Sequence, residues 1–233
     1  MSRFLHQTFD EIAPGYERMN HAMTLGLDIL WRRATARIAA SIPSSRRLDV
    51  CTGTAETAVL LKGIAPEPEL VVGADFSAQM MAVAKQKPET TGISFVGAEA
   101  GNLPFADGRF DLVTVTLATR NLASSAEGLQ GCFAEFHRVL KPGGRFINLE
   151  TSQPPNRLVW WGFRLYVAAV VPLMAWLLSG FRPGYAYLAR SIPRFHDADG
   201  LAQVLRESGF AEVSYRRLFL GAAAIHVATK AGS

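Results

Sequence analysis

Between residues 46 and 151 the chain alternates two hydrophobic rhythms, and this narrows the possible folds more than any other feature. RRLDVCT (46–52), ELVVGAD (69–75), GISFVGAE (92–99), FDLVTVTLA (110–118) and RFINLET (145–151) are short runs rich in apolar and β-branched residues, and read as strands. Between them, ETAVLLKGI (56–64), SAQMMAVAKQK (77–87) and SAEGLQGCFAEFHRVLK (125–141) carry apolar residues at helical spacing. Ser77 suits an N-cap, and KPGG (141–144) reads as a helix stop followed by a turn. Strands taking turns with helices give a mostly parallel sheet covered on both faces. After a further helix, ADGLAQVLRESGF (198–210), come VSYRRLFLG and AAAIHVATK, two strands on a connection short enough to make them antiparallel. The expected fold is α/β, with a mostly parallel seven-stranded sheet, an antiparallel end strand and helices on both faces. Residues 1–45 read as a helical cap, and nothing divides 1–233 into more than one domain.

Composition excludes several classes. With 49% hydrophobic and 19% charged residues the chain is neither disordered nor poor in core material. Its net charge of +4 comes from scattered basic residues, which argues against nucleic acid as a partner. Two cysteines, Cys51 and Cys132, leave no disulfide framework and point to a reducing, cytoplasmic compartment. The five histidines are far apart, so no metal is expected. The first twenty residues lack the apolar core of a secretory signal.

Ligands of open α/β sheets sit beyond the carboxyl ends of the strands. Four loops fall there: Cys51–Glu56, the end of the second strand at Asp75, Glu99-Ala100, and Thr116–Asn121. The first, in LDVCTGTAETAVLL, holds a single glycine, Gly53, with Ala55 where a second would stand. A pyrophosphate needs several closely approaching N–H groups, so this loop speaks against a dinucleotide. Asp75 lies 21 positions after Thr54, the place from which a carboxylate accepts from ribose hydroxyls; the plainer alternative is an acid that caps the next helix. S-adenosylmethionine has no phosphate and asks for fewer glycines.

The order of these pieces is similar to a class I methyltransferase with a Rossmann-like fold, and more narrowly resembles the ubiquinone/menaquinone biosynthesis C-methyltransferase family. FDEIAPGYERMNHAMTLGLDILWRR, VVGADFSAQMM, NLPFADGRFDLVTV, RVLKPGGRFINLE, TRNLAS, YLARSIPRF and GAAAIHVATK carry the resemblance over nearly the whole chain. It implies S-adenosylmethionine held by Gly53, Thr54 and Asp75, with Glu99 and Ala100 at the adenine end and Thr116 on the fourth-strand loop. Ala55, Glu56, Glu99 and Ala118-Thr119 depart from the family pattern and mark a pocket that differs from its relatives. Glu56 reads equally as a cofactor contact or as a favourable acid in a helix's first turn.

The implied reaction is methyl transfer to a ring carbon of a prenylated quinol, demethylmenaquinol or the 2-polyprenyl-6-methoxy-benzoquinol of ubiquinone synthesis. Arg120 would stabilise a phenolate oxygen or hold a water, Asn121 would orient a ring oxygen, and Tyr16 would close over the pocket. The plainer readings are a loop ion pair, a turn cap and a packing tyrosine. His21 and His226 are lesser candidates for a proton relay. Other open readings are a different small hydrophobic aromatic substrate, or a binding subunit that has lost catalysis. A homo-oligomer stays open as well.

Residues 158–180, LVWWGFRLYVAAVVPLMAWLLSG, are almost wholly apolar, interrupted by Arg164 and Pro172. They read as a membrane span, as a buried helix pair, or as an apolar lid within an insertion at 153–196 that touches the inner face of the cell membrane. The lid is preferred, because a single span would separate strands of one sheet. Trp160, Trp161 and Trp176 suit an interface, and Arg157, Arg164 and Arg182 suit lipid headgroups.

Overall fold

The computed structural model describes residues 3–122, 128–174 and 191–232. Its sheet has seven strands in the order β3-β2-β1-β4-β5-β7-β6. β1 (Arg46–Val50), β2 (Leu70–Asp75), β3 (Ser94–Gly97), β4 (Phe110–Thr116) and β5 (Leu140–Thr151) are parallel to their neighbours in this group. β7 (Ala223–Thr229) runs antiparallel to both β5 and β6 (Glu212–Leu218). The antiparallel strand thus stands one place in from the edge. Burial explains the exchange: β7 is nearly all buried, whereas β6 carries Glu212, Arg216 and Arg217 and is mostly open to solvent. The apolar strand takes the inner place and the charged one blunts the edge.

The KPGG segment is a bulge rather than a turn outside the sheet. α7 (Gly128–Val139) runs straight into β5, Leu140 pairs with Phe110, and the register shifts before Arg145 pairs with Leu112. Residues 125–127 of the expected helix lie outside the described residues.

Side chains alternate across the pleat and build two cores. Phe146 packs with Phe133 and Phe136 of α7 and with Phe210, beyond α9 (Ala198–Glu207). Burying each such aromatic is worth on the order of 2–3 kcal/mol. Ile147 and Leu149 face the opposite way, toward Trp31 of α3 (Leu27–Ala40) and Leu61 of α4 (Glu56–Lys62). On β4, Val113 and Val115 join the first core and Leu112 the second. Thr114 and Thr116 therefore point toward α3 and α4.

The N-terminal segment forms α1 (Arg3–Ile12), a 3-10 turn (Ala13–Gly15) and α2 (Tyr16–Met23), with α1 packed against α5 (Ala78–Lys85). After β5, α8 (Arg157–Leu165) starts on the Asn156 cap and continues through a widened π turn (Tyr166–Val170) to Met174. Pro172 explains the widening: it has no amide for the carbonyl four residues back, and its ring pushes that carbonyl away.

Candidate active site

The loop after β1 enters the left-handed region three times, at Cys51 (φ 55°), Gly53 (φ 55°) and Ala55 (φ 70°). Only the glycine does so freely; the other two each hold roughly 1–2 kcal/mol of strain. This backbone carries the Gly53 amide to Asp75, whose Oδ2 accepts at 2.8 Å, while Oδ1 accepts from the Ser77 amide at 2.9 Å. Burial pushes the Asp75 carboxyl up to about 6. Two backbone bonds leave lone pairs over for two more donors, which is what a vicinal diol offers. The capping alternative is realised beside it, because Ser77 Oγ accepts from the Met80 amide at 3.1 Å. Asp49, also pushed up to about 6 by burial, turns inward and accepts from Thr52 and Thr114.

α1 and α2 close over this crevice. His6 Nε2 lies 2.8 Å from Glu99 Oε1, Ser77 Oγ donates to Asp10 at 2.6 Å, and Lys87 pairs with Glu17 while donating to the Thr54 carbonyl at 2.7 Å. Thr54 and Ala100 are buried, Ala100 within the first core. Thr116 stands apart from the other expected cofactor residues. Its hydroxyl accepts from Arg32 at 2.7 Å and shares a 2.7 Å hydrogen bond with Thr57, in a network between α3 and α4. The pleat that turns β4 residues toward those helices places it there.

The residues fit S-adenosylmethionine: an acid with spare lone pairs beside a turn that holds a single glycine. Among the described residues, buried polar atoms also stay unpartnered on Asn20, Arg32 and Glu56, close to the same loop.

Tyr16 separates the crevice from a second space. A Cβ on Gly53 would meet its ring at 3.8 Å, and the same tyrosine lines a cavity of about 550 Å³. Desolvation pushes the Tyr16 hydroxyl up, so it stays protonated near neutral pH. The cavity walls are apolar, from residues such as Phe9, Met19, Trp31, Phe163 and Val171. Polar groups include Arg120 and Asn121, on the short helix α6 (Thr119–Leu122) after β4. Arg120 pairs with Glu150 of β5 at 2.7 Å, and its amide donates to the same carboxylate at 3.1 Å. Thr151 donates to Glu150 from its amide at 2.7 Å and its hydroxyl at 2.8 Å. The expected ion pair of Arg120 thus exists, with a strand rather than a loop carboxylate. Arg120 Nε and Asn121 Oδ1 stay buried without a partner among the described residues.

α8 roofs this cavity. Val159, Gly162, Phe163 and Tyr166 line it, and Tyr166 donates to the Met23 carbonyl at 2.9 Å. The helix Arg157–Met174 is long and apolar enough to cross a membrane by length and composition, but one face is committed to the cavity and only 11% of it is buried. The buried-pair reading therefore fails for the described part. Residues 175–190, with Trp176 and Arg182, lie outside the described residues.

Sequence reading singles out neither Glu150 nor Arg32, which the structure places beside Arg120 and Glu56, and it leaves Glu56 ambiguous. The signal for Glu150 was present: like Asp75, it is an acid near the carboxyl end of a strand. His21 Nδ1 lies 2.8 Å from Asp28 and its Nε2 3.7 Å from Glu56. His226 is buried in β7 with Nε2 on the Ala198 carbonyl, and desolvation lowers its pKa.

A family model for the ubiE/COQ5 methyltransferases matches residues 2–230. The chain belongs to this family, and is a methyltransferase by that membership. It is 40% identical over 221 residues to the demethylmenaquinone methyltransferase of Thermus thermophilus, covering 94% of this chain and 98% of the relative. It is 36% identical over 226 residues to the ubiquinone/menaquinone biosynthesis C-methyltransferase UbiE of Desulfotalea psychrophila, covering 97% and 90%. Among solved structures, a SAM-dependent methyltransferase from Thermotoga maritima, described as a possible histamine N-methyltransferase, superposes with a TM-score of 0.68 at 17% identity, covering 97% and 99%. Family and fold together imply use of S-adenosylmethionine.

Proposed function

We propose that this enzyme methylates a ring carbon of a prenylated quinol, demethylmenaquinol ahead of the benzoquinol of ubiquinone synthesis. The observation that carries the reading is an apolar cavity with an unpaired donor, Arg120 Nε, and an unpaired acceptor, Asn121 Oδ1, on adjacent lining residues. A quinol offers one hydroxyl to the acceptor and, once deprotonated, one phenolate oxygen to the donor. The activities named for the relatives at 40% and 36% identity support the quinone ring.

Held by Gly53, Thr54 and Asp75, S-adenosylmethionine would supply the methyl group as a sulfonium and depart as the neutral thioether, with the ring carbon's proton passing to solvent. The chain positions and polarises. Arg120 stabilises the phenolate that makes the ring carbon nucleophilic, in a low-dielectric space where a fixed charge acts strongly. Glu150 holds Arg120 through both its side chain and its backbone. Tyr16, protonated and set between Gly53 and the cavity, keeps the two reactants on one line. Gly53, Thr54, Asp75, Glu99 and Ala100 form the cofactor side, and Thr116 supports it from within the fold.

The tail leaves through the rim toward a membrane surface. Leu30 apart, the large hydrophobic side chains exposed among the described residues all lie on the lid helix or on the cavity rim. Leu25 (70% exposed), Phe219 (60%) and Leu220 (72%) form that rim on left-handed backbone. Leu158, Trp161 and Leu165 face out from the lid, with Arg164 stacked 4.5 Å over Trp160. Strained loops that present apolar groups to water fit peripheral docking on the cytoplasmic leaflet.

The test is anaerobic incubation with labelled S-adenosylmethionine and either reduced demethylmenaquinone or the reduced benzoquinone precursor. Label on the ring of the first, faster than on the second, is expected. Label on neither, from protein that binds the cofactor, would overturn the quinol reading.

A further inference from the structure

We propose that the face formed by the lid and the cavity rim binds the phosphate headgroups of anionic phospholipids, which on the docking reading above fixes how the enzyme sits on its leaflet. Four stretches carry this face: 18–37, with the loop that exposes Leu25; the lid at 157–174; the turn at 191–194; and 216–222, with Phe219 and Leu220. Together they hold nine arginines, no lysine and one acid, Asp28, which is fully buried. The rest of the chain holds fifteen basic and nineteen acidic residues. The positive excess of the whole molecule thus lies on one side, and the remainder is net acidic. α1, over the crevice, carries Asp10 and Glu11 instead.

Pairing separates the same two sides. Away from this face, Arg46, Lys87, Arg138 and Lys141 are tied to carboxylates, and Lys230 to backbone carbonyls. Of the nine arginines, two pair with an acid among the described residues, Arg32 with Glu56 inside the fold and Arg217 with Asp199. Arg18, Arg33, Arg37, Arg157, Arg194 and Arg216 are exposed and have no ion pair or side-chain hydrogen bond among the described residues. A guanidinium that finds no carboxylate on its own chain keeps its planar fork free for the two oxygens of a phosphate.

The mixture of groups selects the partner. Leu30, 57% exposed, shares one face of α3 with Arg33 and Arg37, three and seven positions on. On the lid, the Arg164 guanidinium lies 4.5 Å over the Trp160 ring, between exposed Trp161 and Leu165. A nucleic acid would meet the arginines and leave these apolar groups in water. A neutral leaflet would take the apolar groups and leave the arginines unanswered. An anionic leaflet satisfies both, with the apolar side chains below the phosphates and the guanidiniums level with them. Its field also turns the cavity mouth toward lipid before any apolar contact forms.

Flotation of the full chain tests this with vesicles of phosphatidylcholine alone and of phosphatidylcholine with about one third phosphatidylglycerol, at about 0.05 M and about 0.5 M salt. Wild type is expected to bind the anionic vesicles at least about tenfold more tightly at low salt, and to lose that preference at high salt. Arg33→Gln with Arg157→Gln should weaken binding to anionic vesicles about tenfold and leave neutral vesicles within about twofold. Arg109→Gln with Arg145→Gln removes the same charge around the amino end of β4, where Arg109 precedes Phe110 and Arg145 pairs with Leu112, and should change neither by more than about twofold. Unchanged Tm in both pairs reports that they are folded. Equal affinity for the two vesicles in wild type, a preference that survives high salt, or equal losses from the two pairs would overturn the anionic surface and leave the docking reading standing. Wild type that floats with neither vesicle would overturn both, while the labelled-methyl assay reads the quinol reaction separately.

Discussion

The crevice over β1–β3 and the cavity over β4 and β5 share Tyr16 as a wall, yet they are built by opposite means. The crevice is polar and closed. Its Asp75 carboxylate is buried and held by backbone amides, and α1 reaches down to the crevice through His6 and Asp10. The cavity is apolar and open, with Arg120 and Asn121 among its few polar lining groups and a rim that exposes Leu25, Phe219 and Leu220. On the proposed function the contrast suits two reactants of different polarity, a charged one met by hydrogen bonds in the crevice and an apolar one met mainly by shape in the cavity.

The sharpest way to break this division is Arg120→Ala. Loss of the group that stabilises the phenolate should lower kcat by about 10²–10³. Cofactor affinity, measured by calorimetry, should stay within about twofold, since Arg120 belongs to the cavity. Equal losses in turnover and cofactor binding would mean that the two spaces are one site. Asp75→Ala is the complement: cofactor affinity should fall on the order of 10–100-fold while flotation with quinol-bearing vesicles is unchanged.

The raised Asp75 carboxyl adds a pH dependence. Its ionised form accepts the two diol donors, and protonation puts a competing hydrogen on one oxygen. Affinity should therefore be level above about pH 7 and fall as pH drops through about 6, and Asp75→Asn should be weak and flat across this range. A wild-type profile that is flat from pH 5 to pH 8 would remove Asp75 from the cofactor.

Trp161→Ser with Leu165→Ser tests the other side. Each exposed side chain contributes roughly 1.5–3 kcal/mol when buried in lipid, so vesicle flotation should drop at least about tenfold with no change in cofactor affinity. Unaltered flotation would leave the outer lid face without its assigned purpose. The smallest effect belongs to the β1 loop. Ala55 holds left-handed backbone, and Ala55→Gly should relieve that strain, stabilising the fold by about 1 kcal/mol and raising Tm by about 2–4 °C. A lower Tm would show that the alanine methyl packs better than its backbone suggests.

These contrasts also explain what was legible in the sequence. Strand and helix order followed from local periodicity, and so did the Ser77 cap and the position of Asp75 at a strand end. Partner choice did not. Arg32 meets residues 24, 25 and 84 positions away, and Arg120 meets Glu150 across 30, so these pairs exist only once the sheet has formed. Thr116 was readable in principle: counting alternate residues from Val113 and Val115 turns it toward α3, away from the face those valines occupy. The order of the closing hairpin depended on relative burial of β6 and β7, which a count of strands ignores. For the lid, composition permitted span, core and cover alike; the choice needed the geometry of one face against the cavity.

On the proposed function the lid-covered cavity receives the ring with its tail while the crevice independently holds the methyl donor. Steady-state methyl transfer to a prenylated quinol and to the same ring without its tail, in wild type and in the Trp161→Ser, Leu165→Ser variant, tests this most directly. The tail should raise kcat/KM at least about tenfold in wild type, the variant should lose most of that advantage, and KM for S-adenosylmethionine should be the same in both. Equal kcat/KM for the two quinols in wild type, or a shift in cofactor KM that tracks the lid, would contradict it.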